Sequence, residues 1–130
     1  MKTLIVEDDF TCRLLLQEIL KAYGPVHVAV NGREAVEAVK AGFESRQPYD
    51  LICLDLMMPE MGGYEALDQI RNAENVWGIK PSQGVKVVVT TALDRLEHVS
   101  QAFRGLCDAY LVKPIEKAAL VAQLRELGLV

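Results

Sequence analysis

Nowhere does this chain carry an uninterrupted apolar run long enough to cross a bilayer. Its first residues, Met1-Lys2-Thr3, lead straight into a short apolar stretch. They lack the charged segment, apolar run and small-residue cleavage site of a secretory signal. The expectation is a cytoplasmic protein. Cysteine is scarce: Cys12, Cys53 and Cys107 are odd in number, scattered, and without the CxxC spacing of a zinc site. A disulfide framework is not expected, and Cys12 and Cys53, set among apolar neighbours, read as core residues. Basic residues are outnumbered, 14 Lys and Arg against 18 Asp and Glu, for a formal net charge of -4. That balance supplies neither a basic stripe for nucleic-acid phosphates nor attraction to an anionic membrane surface. His27 and His98 lack metal-ligand spacing and read as structural or surface residues. Gly62-Gly63 is a turn and opens no GxGxxG dinucleotide fingerprint. Internal repeats and low-complexity segments are missing as well.

What is present is an ordinary globular composition, 51% hydrophobic and 25% charged over 130 residues. The length suits one compact domain, 1–130, with a sizeable core and no linker or output domain after it. Strand patterns alternate with helix patterns along the whole chain. Strands are expected at Thr3–Val6, Val26–Val30, Asp50–Leu54, Val85–Val89 and Ala109–Val112. The first helix turns Cys12, Leu15, Leu16, Ile19, Leu20 and Tyr23 inward and stops at Gly24-Pro25. The second turns Ala35, Val36, Val39 and Phe43 inward and ends before Pro48. The third begins over Tyr64–Arg71, with Leu67 and Ile70 on one face. The fourth spans about Asp94–Arg104, and the last spans Glu116–Leu127, with Leu120, Leu124 and Leu127 inward and Gly128 as its cap. Between the third helix and the fourth strand, Asn75–Gly84 reads as irregular, with Trp77 folded onto the third helix.

The middle strands are continuously apolar, as in a parallel sheet covered on both faces. Right-handed crossovers then make a doubly wound sheet the economical solution. The expected fold is α/β and flavodoxin-like: five parallel strands in the order 2-1-3-4-5 with five helices.

In such sheets ligands bind beyond the carboxyl ends of the strands. The first strand runs into Glu7, Asp8 and Asp9, the third into Asp55, the fourth into Thr91, and the fifth into Lys113-Pro114. The second ends in Val30-Asn31-Gly32, with no evident chemistry. Carboxylates gathered in one crevice repel one another, and an all-oxygen site of that kind suits Mg²⁺. A nearby cation keeps Asp55 ionised. An ionised carboxylate can attack a phosphoryl group and form an acyl phosphate. The metal, the Lys113 ammonium and the Thr91 hydroxyl would then meet the charge on the phosphoryl oxygens.

The stretches Leu4-Ile5-Val6-Glu7-Asp8-Asp9, Asp55-Leu56-Met57-Met58-Pro59-Glu60-Met61-Gly62-Gly63, Val89-Thr90-Thr91-Ala92 and Tyr110-Leu111-Val112-Lys113-Pro114 together resemble the response-regulator receiver family. The resemblance covers the whole chain and implies a phosphoacceptor switch of two-component signalling. It implies that Asp55 accepts the phosphoryl group. Asp8 would ligate Mg²⁺ directly, Glu7 through water, and Met57 through its backbone carbonyl. Asp9 falls one place past the acidic pair and more naturally caps the first helix. Thr91, rather than Thr90, aligns with the switch hydroxyl, and Tyr110 with the mobile aromatic switch residue. Lys113-Pro114 aligns with a peptide bond that is usually cis. The implied partners are a sensor histidine kinase or histidine phosphotransfer protein, and a downstream protein met by the face of the fourth helix, fifth strand and last helix.

Two positions depart from the family. Met57 and Leu93 are apolar where side chains usually lie near the water that attacks the acyl phosphate, so a long-lived phosphorylated state is expected. Three rival families fit the residues less well. A degenerate receiver, binding partners without phosphate, normally lacks one of the acidic or lysine residues present here. A dehalogenase-type phosphatase carries Asp-x-Asp at its first strand. A flavodoxin-like electron carrier has a Ser/Thr-rich phosphate loop where this chain has acids.

Overall fold

The computed structural model describes residues 1–58, 60–92 and 99–130, with Ala102 described in its backbone alone. Five strands form one parallel sheet: β1 (Thr3–Val6), β2 (Val26–Ala29), β3 (Leu51–Asp55), β4 (Lys86–Thr91) and β5 (Ala109–Val112). Their order is β2-β1-β3-β4-β5, as expected for a doubly wound sheet. Five α-helices are found among the described residues: α1 (Phe10–Leu20), α2 (Gly32–Glu44), α3 (Gly63–Val76), α4 (Gln101–Arg104) and α5 (Lys117–Glu126). The first part of the expected fourth helix, together with Leu93 and His98, lies outside the described residues. Among the described residues no helix is long and apolar enough to cross a membrane.

The sheet separates two apolar layers. On one side Val6, Ile52, Leu54, Val87 and Val89 meet Val36, Val39 and Phe43 of α2 and Leu67 and Ile70 of α3. On the other, Ile5, Cys53, Val88 and Leu111 meet Leu16, Ile19 and Leu20 of α1 and Leu120 and Leu124 of α5. Strand alternation sorts neighbouring residues into the two layers. Each fully buried Leu or Ile contributes roughly 1.5–3 kcal/mol of transfer free energy.

Several boundaries differ from the expectation, each for a local reason. Leu15 is 41% exposed, because helical spacing that buries Leu16, Ile19 and Leu20 leaves it on the flank. β3 extends to Asp55, which pairs with Thr90 across β4. β2 stops at Ala29, since the Val30 N–H donates to the Glu34 carboxylate (3.1 Å) instead of continuing the ladder. α3 runs on to Val76, two residues into the stretch expected to be irregular. Its inward face includes Glu74, a buried acid that interrupts the apolar pattern in the sequence. Gly78, with φ of 74°, follows the end of that helix. Trp77, expected to fold onto α3, packs toward α2. It stays half-exposed, with its ring 5.8 Å from Phe43 of α2. At the other terminus Gly128, φ 75°, follows α5 as foreseen.

Candidate functional site

β1 and β3 are neighbours, with Val6 paired to Leu54, so the residues that follow them emerge side by side. Carboxylate oxygens of Glu7, Asp8 and Asp55 lie within 4.8 Å of one another. Glu7 and Asp55 are almost fully buried, 1% and 5% exposed, whereas Asp8 faces solvent. Lys113, just past β5, reaches back over β4 to them. Its Nζ donates to Glu7 Oε2 at 3.0 Å and Oε1 at 3.2 Å, and lies 3.4 Å from Asp55 Oδ1. The Lys113 backbone N–H is fixed by the Thr91 carbonyl at 2.8 Å. The Lys113-Pro114 peptide is cis. Asp9 stands apart from the cluster and caps α1, accepting from the Cys12 N–H at 2.8 Å.

Charge in this crevice is out of balance. Burial pushes the Asp55 carboxyl up to about 6, and the neighbouring Glu7 pushes the same way. The Lys113 ammonium and the Met57 N–H, 3.4 Å from Asp55 Oδ1, oppose the rise without cancelling it. For Lys113, burial pulls downward, but the hydrogen bond to Glu7 and the charges of Asp55 and Glu7 outweigh it, and the net shift is upward. Among the described residues one ammonium thus faces three carboxylates. A hard divalent cation is the complement that such a set lacks, and all-oxygen donors beside open solvent suit Mg²⁺, which keeps part of its hydration shell. The residues present fit such an ion.

Thr91 and Tyr110 share a face of the sheet. Thr91 has the parity of Val87 and Val89, and Tyr110 is paired with Val89 on that side. Thr90 has the opposite parity, so the alternation singles out Thr91 as the hydroxyl on the tyrosine's side. The Thr91 Oγ1 is buried without a hydrogen-bond partner among the described residues. A buried orphan hydroxyl of this kind is costly unless something meets it. Tyr110 is half-buried, with the Cys107 Sγ 3.1 Å from its hydroxyl and the Arg104 guanidinium 5.4 Å from its ring centre.

Three features have no full signature in the sequence. The Arg13 guanidinium donates to the Glu7 carbonyl (3.2 Å), fixing the turn after β1. Glu74 and Arg71 form a buried clamp at the opposite end of the sheet. Asn31-Gly32 is tied to the loop that follows Asp55: the Gly32 N–H donates to the Met61 carbonyl at 2.9 Å, and Asn31 Nδ2 to Glu60 Oε2 at 3.3 Å. Only the capping half of Asn31 had a signature in the sequence, the Asn-x-x-Glu pattern of a helix start. His27 proves structural, with Nδ1 2.7 Å from the Tyr49 hydroxyl.

Comparison with known proteins agrees with this geometry. The family model described as the response regulator receiver domain matches residues 3–125. The transcriptional regulatory protein CusR of Escherichia coli is 34% identical over 128 residues, covering 98% of this chain and 51% of that protein. The chain therefore spans about half the length of that relative. The chemotaxis protein CheY of Thermotoga maritima is 30% identical, with 98% of this chain and 97% of that protein covered. Among solved structures, the receiver domain of the sensor histidine kinase PA1611 from Pseudomonas aeruginosa, with a magnesium ion coordinated in its active site cleft, superposes with a TM-score of 0.76 at 28% identity. That match covers 98% of this chain and 97% of the other. The receiver domain of Ssk1, in complex with the histidine phosphotransfer protein Ypd1 of Saccharomyces cerevisiae, gives a TM-score of 0.80 at 30% identity, covering 98% and 88%.

Proposed function

The chain belongs to the response regulator receiver domain family, and from that premise we propose that it is a phosphorylation switch that accepts a phosphoryl group on Asp55. The observation that carries the reading is the convergence of Glu7, Asp8 and Asp55 with the Lys113 ammonium 3.4 Å from Asp55. Glu7, Asp8, Asp55 and the backbone carbonyl of Met57 would hold Mg²⁺, Asp8 directly and Glu7 through water. The ion would supply positive charge against the phosphoryl oxygens.

This chain's own groups do the rest. A partner presents phosphohistidine. An Asp55 oxygen attacks phosphorus, the P–O bond forms as the P–N bond breaks, and the leaving electron pair returns to the imidazole nitrogen. Lys113 neutralises one phosphoryl oxygen, and the Thr91 hydroxyl, now supplied with an acceptor, donates to another. Moving Thr91 frees space on the face it shares with Tyr110, and the ring turns inward. The two arrangements differ in their contacts with phosphate, and that difference is what shifts the population. The donor is a sensor histidine kinase or a histidine phosphotransfer protein. A downstream protein reads the face formed by α4, β5 and α5, and the setting is the cytoplasm. Receiver domains of this kind are signalling phosphoacceptors rather than classical enzymes.

The test is incubation with acetyl phosphate, with and without Mg²⁺, read by intact mass spectrometry. A Mg²⁺-dependent gain of one phosphoryl group is expected. No gain under any condition would overturn the reading in favour of a degenerate receiver that binds its partners without phosphate.

The acyl phosphate is expected to be long-lived. The Met57 side chain, 50% exposed beside Asp55, has no group to orient an attacking water. After removal of the donor, Met57→Asn should lose the phosphoryl group about fivefold faster than the wild type, the worth of one hydrogen bond in the transition state. Wild-type decay on the scale of seconds would contradict this.

A further inference from the structure

We infer that Asn31 and Gly32 are positioning residues for metal binding, because they pin the loop that carries the Met57 carbonyl; the inference rests on the phosphoacceptor reading above. Between Asp55 at the end of β3 and Gly63 at the start of α3, residues 56–58 and 60–62 are described. The loop's near limb is fixed by its own backbone: the Gly63 N–H donates to the Leu56 carbonyl at 3.2 Å. Its far limb is held by the turn between β2 and α2. The Gly32 N–H donates to the Met61 carbonyl (2.9 Å), and Glu60 Oε2 accepts from Asn31 Nδ2 (3.3 Å) and lies 3.4 Å from Arg33 Nη2.

The residue types match that task. Asn31 is 8% exposed and uses both ends of its amide. Its Oδ1 accepts from the Glu34 N–H at 2.8 Å, capping α2, while its Nδ2 holds Glu60. Asp or Ser would cap as well, but Asp has no donor and the Ser hydroxyl cannot serve both partners at that spacing. A Cβ at position 32 would lie 2.3 Å from the Met61 carbonyl oxygen, a clash with backbone, so glycine alone permits the approach. Glu60 takes φ of 66°, a left-handed backbone state that a Cβ disfavours. The loop thus keeps an unfavourable backbone state that its tethers oppose losing. A loop ordered before the ion arrives loses less entropy on binding it.

The experiment compares Mg²⁺ dissociation constants by titration calorimetry at fixed ionic strength. Glu60→Ala and Glu60→Gln remove the same charge, but only Gln keeps an acceptor for Asn31. Glu60→Ala is expected to bind Mg²⁺ about fivefold more weakly than Glu60→Gln, the equivalent of one hydrogen bond. Asn31→Asp keeps the cap and loses the donor, so it should weaken binding as well. Asn31→Asp combined with Glu60→Gln reverses the hydrogen bond and should recover the Glu60→Gln value. Unfolding midpoints without metal, which report stability alone, should differ little between the two Glu60 variants, since that side chain is largely exposed. Equal Mg²⁺ affinities for Glu60→Ala and Glu60→Gln overturn the inference, and so does failure of the exchange to recover binding. Absence of Mg²⁺ binding in the wild type instead overturns the phosphoacceptor reading itself.

Discussion

In Asp55→Asn, phosphoryl uptake from acetyl phosphate is expected to vanish while the metal-free protein becomes more stable at neutral pH. The first effect follows from losing the nucleophile, since an amide neither attacks phosphorus usefully nor ligates the ion as a carboxylate does. The second follows from the charge imbalance. Burial and Glu7 raise the Asp55 carboxyl from 3.8 to about 6. The native state therefore binds that proton more tightly than the unfolded chain does. Between those two values the native state holds more protons, so stability falls as pH climbs from about 4 to about 6 and stays lower above. The deficit at pH 7 is about 2–3 kcal/mol, from 1.36 kcal/mol for each unit of pKa difference. Asparagine carries no such deficit. In EDTA at pH 7 its unfolding midpoint should exceed that of the wild type by roughly 5 °C or more. The gap should close as pH is lowered to about 4. Added Mg²⁺ should raise the wild-type midpoint by mass action and do far less for the variant. A variant less stable than the wild type at pH 7 without metal would show that Asp55 carries no electrostatic strain.

Glu74→Ala is expected to cost about 3–5 kcal/mol of stability, the range for removing one member of a buried ion pair. Glu74 is 5% exposed. Its Oε1 accepts from Arg71 Nη1 at 2.7 Å and its Oε2 from the Val85 N–H at 2.6 Å. Arg71 in turn donates to the Val85 and Leu106 carbonyls, both at 2.9 Å, and to Asp108 Oδ2 at 3.3 Å. Asp108 Oδ2 also accepts the Val87 N–H at 2.8 Å. One carboxylate and one guanidinium thus join the end of α3, the start of β4 and the approach to β5. Alanine leaves the Val85 N–H without its acceptor and removes the nearer of the two carboxylates that meet the Arg71 cation. Urea unfolding should show the loss, with Glu74→Gln intermediate because it keeps acceptor oxygen but no charge. Phosphoryl uptake by the folded fraction should be unchanged, because this clamp lies at the amino ends of the strands and the acidic cluster at their carboxyl ends. A loss below about 1 kcal/mol, as for an exposed pair, would contradict the buried geometry.

The contrast between these two sites shows what was legible in the chain. Asp55, Glu7, Asp8 and Lys113 could be found because each sits at the end of a recognisable apolar strand, and parallel sheets place those ends together. The capping role of Asp9 was legible for a similar reason: it depends on a few consecutive residues. Glu74 and Asn31 were not legible. An acid on a helix reads as a solvated charge, and only the approach of Arg71 and Val85 makes it an interior group. Asn31 reads as the end of a strand without evident chemistry, and nothing local reveals that its amide nitrogen meets Glu60, 29 positions away.

The sequence by itself determined the alternation of strands and helices, the two buried layers and the identity of the groups at the strand ends. Those features follow from periodicity and local chemistry, which operate over a turn of helix or a few residues of strand. The tertiary structure decided the rest: that Lys113 lies closer to Glu7 than to Asp55, that the Thr91 hydroxyl is buried on Tyr110's side of the sheet without a partner among the described residues, and that a second loop grips the one carrying Met57. Distances and burial between residues remote in the chain depend on how the layers pack, and no local pattern encodes them.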